Sequence, residues 1–153
     1  MHIQDRLRIA GAGIAAQLLK YYDEGPPGLF GHPPVSESGW LWWQTPIALQ
    51  ALLSHEEISF DTSHHSHIQE AFLLNLGNDH RIFSPAWGGI ENDEKNDDML
   101  WWTLAALQAN DSVILEGALR SYDHVRRFWA NEAGSSCLGG IGVLTRVIQD
   151  GHI

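Results

Sequence analysis

Of the 153 residues only Cys137 is a cysteine, so neither an internal disulfide framework nor a multi-cysteine zinc site can form. Basic residues are scarce: nine Lys and Arg stand against nineteen Asp and Glu, a formal charge of -10 at pH 7. A chain this acidic repels phosphate backbones and anionic lipid, which argues against nucleic acid and membrane surfaces as partners. Long apolar runs are missing as well. The longest, Ile9 to Ala16, falls far short of the roughly 20 residues a membrane-spanning helix needs. The opening Met1-His2-Ile3-Gln4-Asp5-Arg6 mixes charges and has no clean apolar region behind it, so it does not read as a signal peptide. Six Pro and fifteen Gly are too few for a collagenous or low-complexity protein. Charged residues, at 18%, are too few for a disordered one.

What is present is 44% hydrophobic residues, enough for a core, in a length that suits one domain at a prior of about one per 150 residues. The compositional outlier is seven Trp. Apolar spacing of three and four predicts an all-α chain. A first helix is expected from about Asp5 to Asp23, burying Leu7, Ala10, Ile14, Leu18 and Tyr21, and ending at Gly25-Pro26-Pro27-Gly28. A second covers Trp40 to Ser54. There Pro46 either sits at the first helical position behind a capping Thr45 or kinks a helix that began earlier. A third starts near Asp61-Thr62-Ser63 and runs to Leu76. After a polar loop from Gly77 to Lys95, a fourth starts at Asn96-Asp97-Asp98 and continues through Leu107. A fifth, Ser112 to Asn131, carries Val113, Leu115, Leu119, Tyr122, Val125 and Trp129 on its apolar side. Only the tail, Val143 to Ile148, reads as a possible strand, with a helix start as its alternative.

Asn96-Asp97-Asp98 has two readings. Asn is a favoured cap, and carboxylates in a first turn are stabilised by the helix dipole. The chemical reading is a carboxylate pair. Consecutive helical side chains diverge by about 100°, so they cannot stack, but they can bracket a group lying against the helix end. Paired carboxylates are what glycoside cleavage requires. Trp40, Trp42 and Trp43 open one helix, and Trp101 and Trp102 follow the Asp pair. Aromatics beside carboxylates suit sugar rings, whose C–H faces stack on indole; a Trp-rich packing interface accounts for the spacing equally well. In His64-His65-Ser66-His67 two imidazoles three apart could share a metal, but no Cys or regular acidic partner completes the set. Cys137-Leu138-Gly139-Gly140-Ile141-Gly142 permits close backbone approach to a ligand yet lacks the Lys and Thr of a phosphate loop.

Together, Trp42-Trp43-Gln44, Phe83-Ser84-Pro85, Asn96-Asp97-Asp98 with Trp101, Trp129 and Cys137-Leu138-Gly139-Gly140-Ile141 resemble, in this order, glycoside hydrolase family 76. That family holds endo-α-1,6-mannanases and related fungal cell-wall proteins. The resemblance spans roughly Leu7 to Gly142. It implies an (α/α)6 toroid of helical hairpins and retaining cleavage by an adjacent Asp pair. Asp97 would be the nucleophile and Asp98 the acid/base. Trp42, Trp43, Gln44, Asn96, Trp101, Gly139 and Gly140 would line a cleft for α-mannan or another mannose-containing cell-wall glycan. No metal or organic cofactor is implied, and the family's setting is secreted or cell wall. A glycan-binding or helical scaffold remnant without turnover is the alternative.

The family pattern usually continues with small residues where Thr45 and Pro46 stand, and has Gly where Leu138 stands. A twelve-helix toroid needs far over 200 residues, at about 12 per helix plus loops. The chain, with five or six helices, therefore reads as the N-terminal half of such a domain, with apolar helix faces left open to self-association and turnover expected to be impaired by the truncation. The resemblance also places Asp97 and Asp98 at the same end of the helices as Trp42 and Trp43, because the family's cleft lies at one mouth of the toroid.

Overall fold

The three-and-four spacings resolve into five α-helices in a computed structural model that describes residues 2–31, 42–77, 82–83, 96–130 and 140–141. They are α1 (Ile3–Glu24), α2 (Gln44–Ser59), α3 (His65–Leu74), α4 (Asn96–Ala109) and α5 (Ser112–Val125). A short 3-10 turn, Arg126–Phe128, follows α5 and leads into β1 (Trp129–Ala130). That strand pairs antiparallel with β2 (Gly140–Ile141), Trp129 opposite Ile141 and Ala130 opposite Gly140. The protein is all-α, as its periodicity predicts. Among the described residues no helix is long and apolar enough to cross a membrane.

Several boundaries differ from the sequence expectation, each for a local reason. In α2 Pro46 is the third helical residue, a place consistent with neither predicted reading. First-turn N–H groups have no intrahelical acceptor, so the ring removes no hydrogen bond there. Thr45 does not cap α2; its Oγ1 accepts from the Phe30 backbone N–H at 3.2 Å. The helix runs past Ser54 to Ser59 and stops where Phe60 turns left-handed, φ 60°. Before α3, Asp61 Oδ1 accepts from Ser63 N–H at 3.0 Å, so Asp61 closes a turn, and His64 is the cap position. The α5 helix ends at Val125 rather than Asn131, because Trp129 and Ala130 are taken by the ladder with Gly140 and Ile141. This pair is the correction to the expectation of strand structure only in the tail; Val143 to Ile148 lie outside the described residues.

Helix directions follow from a few contacts. At one end of the α2–α4 pair the Trp42 and Trp102 rings stack 5.3 Å apart; at the other, Gln108 Nε2 donates to Ser54 Oγ at 3.0 Å. These helices therefore run parallel. The α1 helix runs against α2: Gly11 lies under the His55 ring, and the chain leaving α1 reaches Thr45 through Phe30. The α3 helix also opposes α2, beginning where His65 Nδ1 meets Glu56 Oε2 at 3.1 Å and ending where Asn75 meets Trp42. Only Asn110 and Asp111 separate α4 from α5, so the two fold back as a hairpin, with Asn110 at φ 51° making the reversal. Thus α1, α3 and α5 run one way and α2 and α4 the other. The N-termini of α2 and α4 share one end, here called the mouth, as the resemblance requires.

The core lies between these helices: Leu49, Leu52 and Leu53 of α2, Ile68 and Phe72 of α3, Met99, Trp102 and Ala105 of α4, Ile114 and Ala118 of α5. Two predicted faces are corrected. In α1, Leu7 and Ile14 are exposed, at 66% and 60%, and the buried residues are Ala15 and Tyr22. In α5, Val113, Leu119 and Tyr122 are exposed while Gly117, Ala118 and Ser121 are buried. Small residues win the α5 interface because the backbones come close. A β-carbon at Gly117 would overlap the Leu76 side chain.

Candidate active site

The mouth is built from the approach to α2, the first turn of α4, and the C-terminal ends of α1, α3 and α5. Its floor is aromatic. Trp102, fully buried, lies stacked between Trp42 at 5.3 Å and Phe83 at 5.5 Å, with Phe72 edge-on at 6.0 Å. Such pairs contribute about 0.5–1.5 kcal/mol each beyond the area they bury. Phe83 is tied down by its backbone N–H, which donates to Ser121 Oγ of α5 at 2.9 Å. Among the described residues the buried Trp102 indole N–H has no hydrogen-bond partner.

The predicted residues divide by exposure. Asp97 and Asp98 occupy the second and third positions of α4, where the dipole favours carboxylates; Asp97 is exposed and Asp98 half-buried. Each shares a helix face with the residue four further on. Asp97 lies on the face of the 41%-exposed Trp101, and Asp98 on the face of the buried Trp102. The pair therefore diverges onto two faces of α4, Asp97 on the more exposed one. Asn96, the first residue of α4, is fully buried. Trp42 is 5% exposed, its ring consumed by packing on Trp102, so of the two readings of the Trp cluster the packing one describes this residue. Trp43 beside it is half-buried and Gln44 exposed, which leaves these two on the rim. Gly140 pairs with Ala130 directly after the mouth end of α5. Gly139, Cys137 and Leu138 lie outside the described residues, as do Trp40, Ser84 and Pro85.

One mouth residue escaped the sequence reading. Asn75, fully buried at the end of α3, accepts at Oδ1 from Trp42 Nε1 at 2.8 Å. Its Nδ2 donates to the carbonyls of Gly28 at 2.9 Å and Ala71 at 2.8 Å. The available signal was a lone amide inside the apolar run Phe72-Leu73-Leu74-Asn75-Leu76. The His cluster does not join the mouth. His64 Nε2 lies 3.9 Å from Glu56 Oε1, whereas His67 Nε2 lies 3.8 Å from Asp23 Oδ1 with its ring edge-on to Tyr22. The two imidazoles serve separate contacts. Among the described residues no group of three His, Cys, Asp or Glu side chains is placed to hold a metal ion.

No curated protein and no solved structure matches the chain. The family model described as Glycosyl hydrolase family 76 matches residues 6–141, a span that takes in every helix start at the mouth and both strands behind it. With paired aspartates at the head of α4 and this match across most of its length, the chain belongs to glycosyl hydrolase family 76.

Proposed function

We propose that the protein is a glycosidase of α-1,6-linked mannan that works at the mouth by retaining double displacement. The observation that carries this is the placement of Asp97 and Asp98 at the same end as the Trp43–Gln44 rim, in a chain of this family. The diverging pair supplies two roles. The Asp97 carboxylate, exposed and unobstructed by the floor, attacks the anomeric carbon while Asp98 passes a proton to the departing glycosidic oxygen. Asp98 then takes a proton from the water that releases the mannosyl group from Asp97. Trp101 and Trp43 offer indole faces to the sugar C–H surfaces and Gln44 meets hydroxyls, while Asn96, buried at the head of α4, supports the pair from behind instead of touching the sugar. By the resemblance Gly139 and Gly140 add further sugar contacts. Trp42 backs the rim from beneath. In fungal cell-wall relatives a second glycan can take the place of water, which makes transfer a variant of the same chemistry.

Labelling by a mannose-based mechanism inhibitor, read by intact mass, tests the assignment. The wild-type chain is expected to gain one glycosyl adduct on Asp97, and Asp97→Asn to gain none, because an amide is a poor nucleophile. Asp98→Asn should keep the adduct with a good leaving group and lose turnover of natural linkages by about 10²–10⁴-fold. Undiminished turnover in the Asp97→Asn, Asp98→Asn double variant would remove the pair from the mechanism. Mannan binding without any adduct or product would favour the non-catalytic glycan binder instead.

A further inference from the structure

We infer that Asn75 is a positioning residue for the mannan-binding rim, acting through Trp42 on Trp43 and Gln44; the inference rests on the reading of that rim given above. The amide joins three segments that meet nowhere else in sequence. Through Oδ1 it holds Trp42, 33 residues away, and through Nδ2 it holds Gly28, 47 residues away, while a second Nδ2 bond closes onto Ala71 of its own helix. Both N–H donors and the carbonyl are thus in use, which is the full donor set of a primary amide. No other side chain of this length offers one acceptor and two donors. Aspartate would keep the acceptor and lose both donors; leucine would keep the shape and lose everything.

The loop around Gly28 packs closely against the amide. Gly28 sits at φ +79°, and a β-carbon there would come 3.0 Å from Asn75 Nδ2 and 2.9 Å from Leu74 Cβ. The loop carbonyl is therefore fixed against the amide. A second tie from the same loop, Phe30 N–H to Thr45 Oγ1, reaches the first turn of α2 and brackets the rim from its other side. Trp42 is held at its ring by Trp102 and at its N–H by Asn75. Its backbone leads directly into Trp43 and Gln44, so what fixes Trp42 fixes where the rim begins. Stacking alone sets the plane of an indole but lets it slide and turn within that plane; the directional bond to Asn75 removes this freedom.

The test is amide and indole NMR on the full chain, with glycan binding measured separately. In the wild-type protein the Trp42 indole proton should exchange with solvent on the order of a hundredfold more slowly than an exposed indole, as a buried hydrogen-bonded proton does. Exchange at the exposed rate would overturn the inference without any variant. In Asn75→Leu, and more mildly in Trp42→Phe, the Trp43 and Gln44 signals should shift or broaden while those of Leu104 to Gly117 stay in place. Affinity for an α-1,6-mannooligosaccharide should fall on the order of tenfold, the equivalent of one buried hydrogen bond. Asn75→Leu lowers the melting temperature under either reading, since three buried bonds are lost. Shifts spread evenly over α2 and α3 with mannooligosaccharide affinity unchanged in the folded variants would overturn the inference. Wild-type protein that shows the protected indole and the local shifts but binds no mannan would count against the proposed substrate and leave the positioning role standing.

Discussion

At the residue scale, Tyr22 shows how one side chain joins two helices and makes their union sensitive to alkali. Its hydroxyl donates to Glu70 Oε2 at 2.8 Å, and its ring packs against Phe30 and His67. Burial first, and then the Glu70 carboxylate, push the phenol well above its ordinary value of 10.0. A raised folded value means that the neutral form is the one the fold prefers. This stabilisation is fully present below the unfolded value and is lost as pH climbs from about 10 toward the folded one. Tyr22→Phe should therefore cost about 1 kcal/mol at pH 8, the hydrogen bond alone, and the gap to wild type should close or reverse by pH 10.5. Thermal unfolding of both proteins at the two values checks this, and a gap of constant size would refute it. Nothing in the sequence reading marked Tyr22. Periodicity put Tyr21 on the buried face, one position early, because the stripe was drawn from Leu7 and Ile14, which are exposed.

At the element scale the sequence was most legible where a start signal and an apolar period coincide. Asn96-Asp97-Asp98 marks the beginning of α4, and Ser112 that of α5, in agreement with the structure. Ends were harder to read. Helix α2 continues through His55-Glu56-Glu57, polar residues that resemble a stop, and Glu56 there meets His65 at the start of α3 at 3.1 Å. The end of α5 depends on Gly140 and Ile141, which pair with Trp129 and Ala130 just beyond it, from a distance that local propensity does not register. The start of α5 carries its own prediction. Asp111 Oδ1 accepts from the N–H groups of Val113 at 2.9 Å and Ile114 at 3.1 Å, satisfying two donors that the helix cannot. Asp111→Ala should lower stability by about 1 kcal/mol, and Asp111→Ser should restore most of it. Chemical denaturation of the three proteins decides the point; an Ala variant as stable as wild type would show that the cap contributes nothing.

For the whole molecule, the alternating helix directions and the shared end of α2 and α4 were legible only through the family resemblance. Composition and period fix an all-α chain but do not say which helix ends meet. Of the candidate site, the Asp pair and the Trp-rich starts were visible as motifs. The division of labour among them was not, since burial decides it: Trp42 went to the floor while Trp43 stayed on the rim. Asn75 was out of reach because its meaning lies in contacts 33 and 47 residues away.

Those same separations carry a consequence for the time course of folding. The α4–α5 hairpin needs only the Asn110–Asp111 reversal to bring its faces together. Each tie at the mouth must instead close a long loop: Trp42 to Asn75 over 33 residues, Phe83 to Ser121 over 38, Gly28 to Asn75 over 47. Loop-closure entropy rises with the logarithm of length, so the local hairpin is reached first and the mouth assembles onto it. In stopped-flow refolding, helical circular dichroism should return ahead of the tryptophan signal from the Trp42–Trp102 stack. Coincident rates for the two would disprove the sequence of events. The mouth is then the last part of the chain to be finished, and a nascent molecule carries its hairpins before it has one.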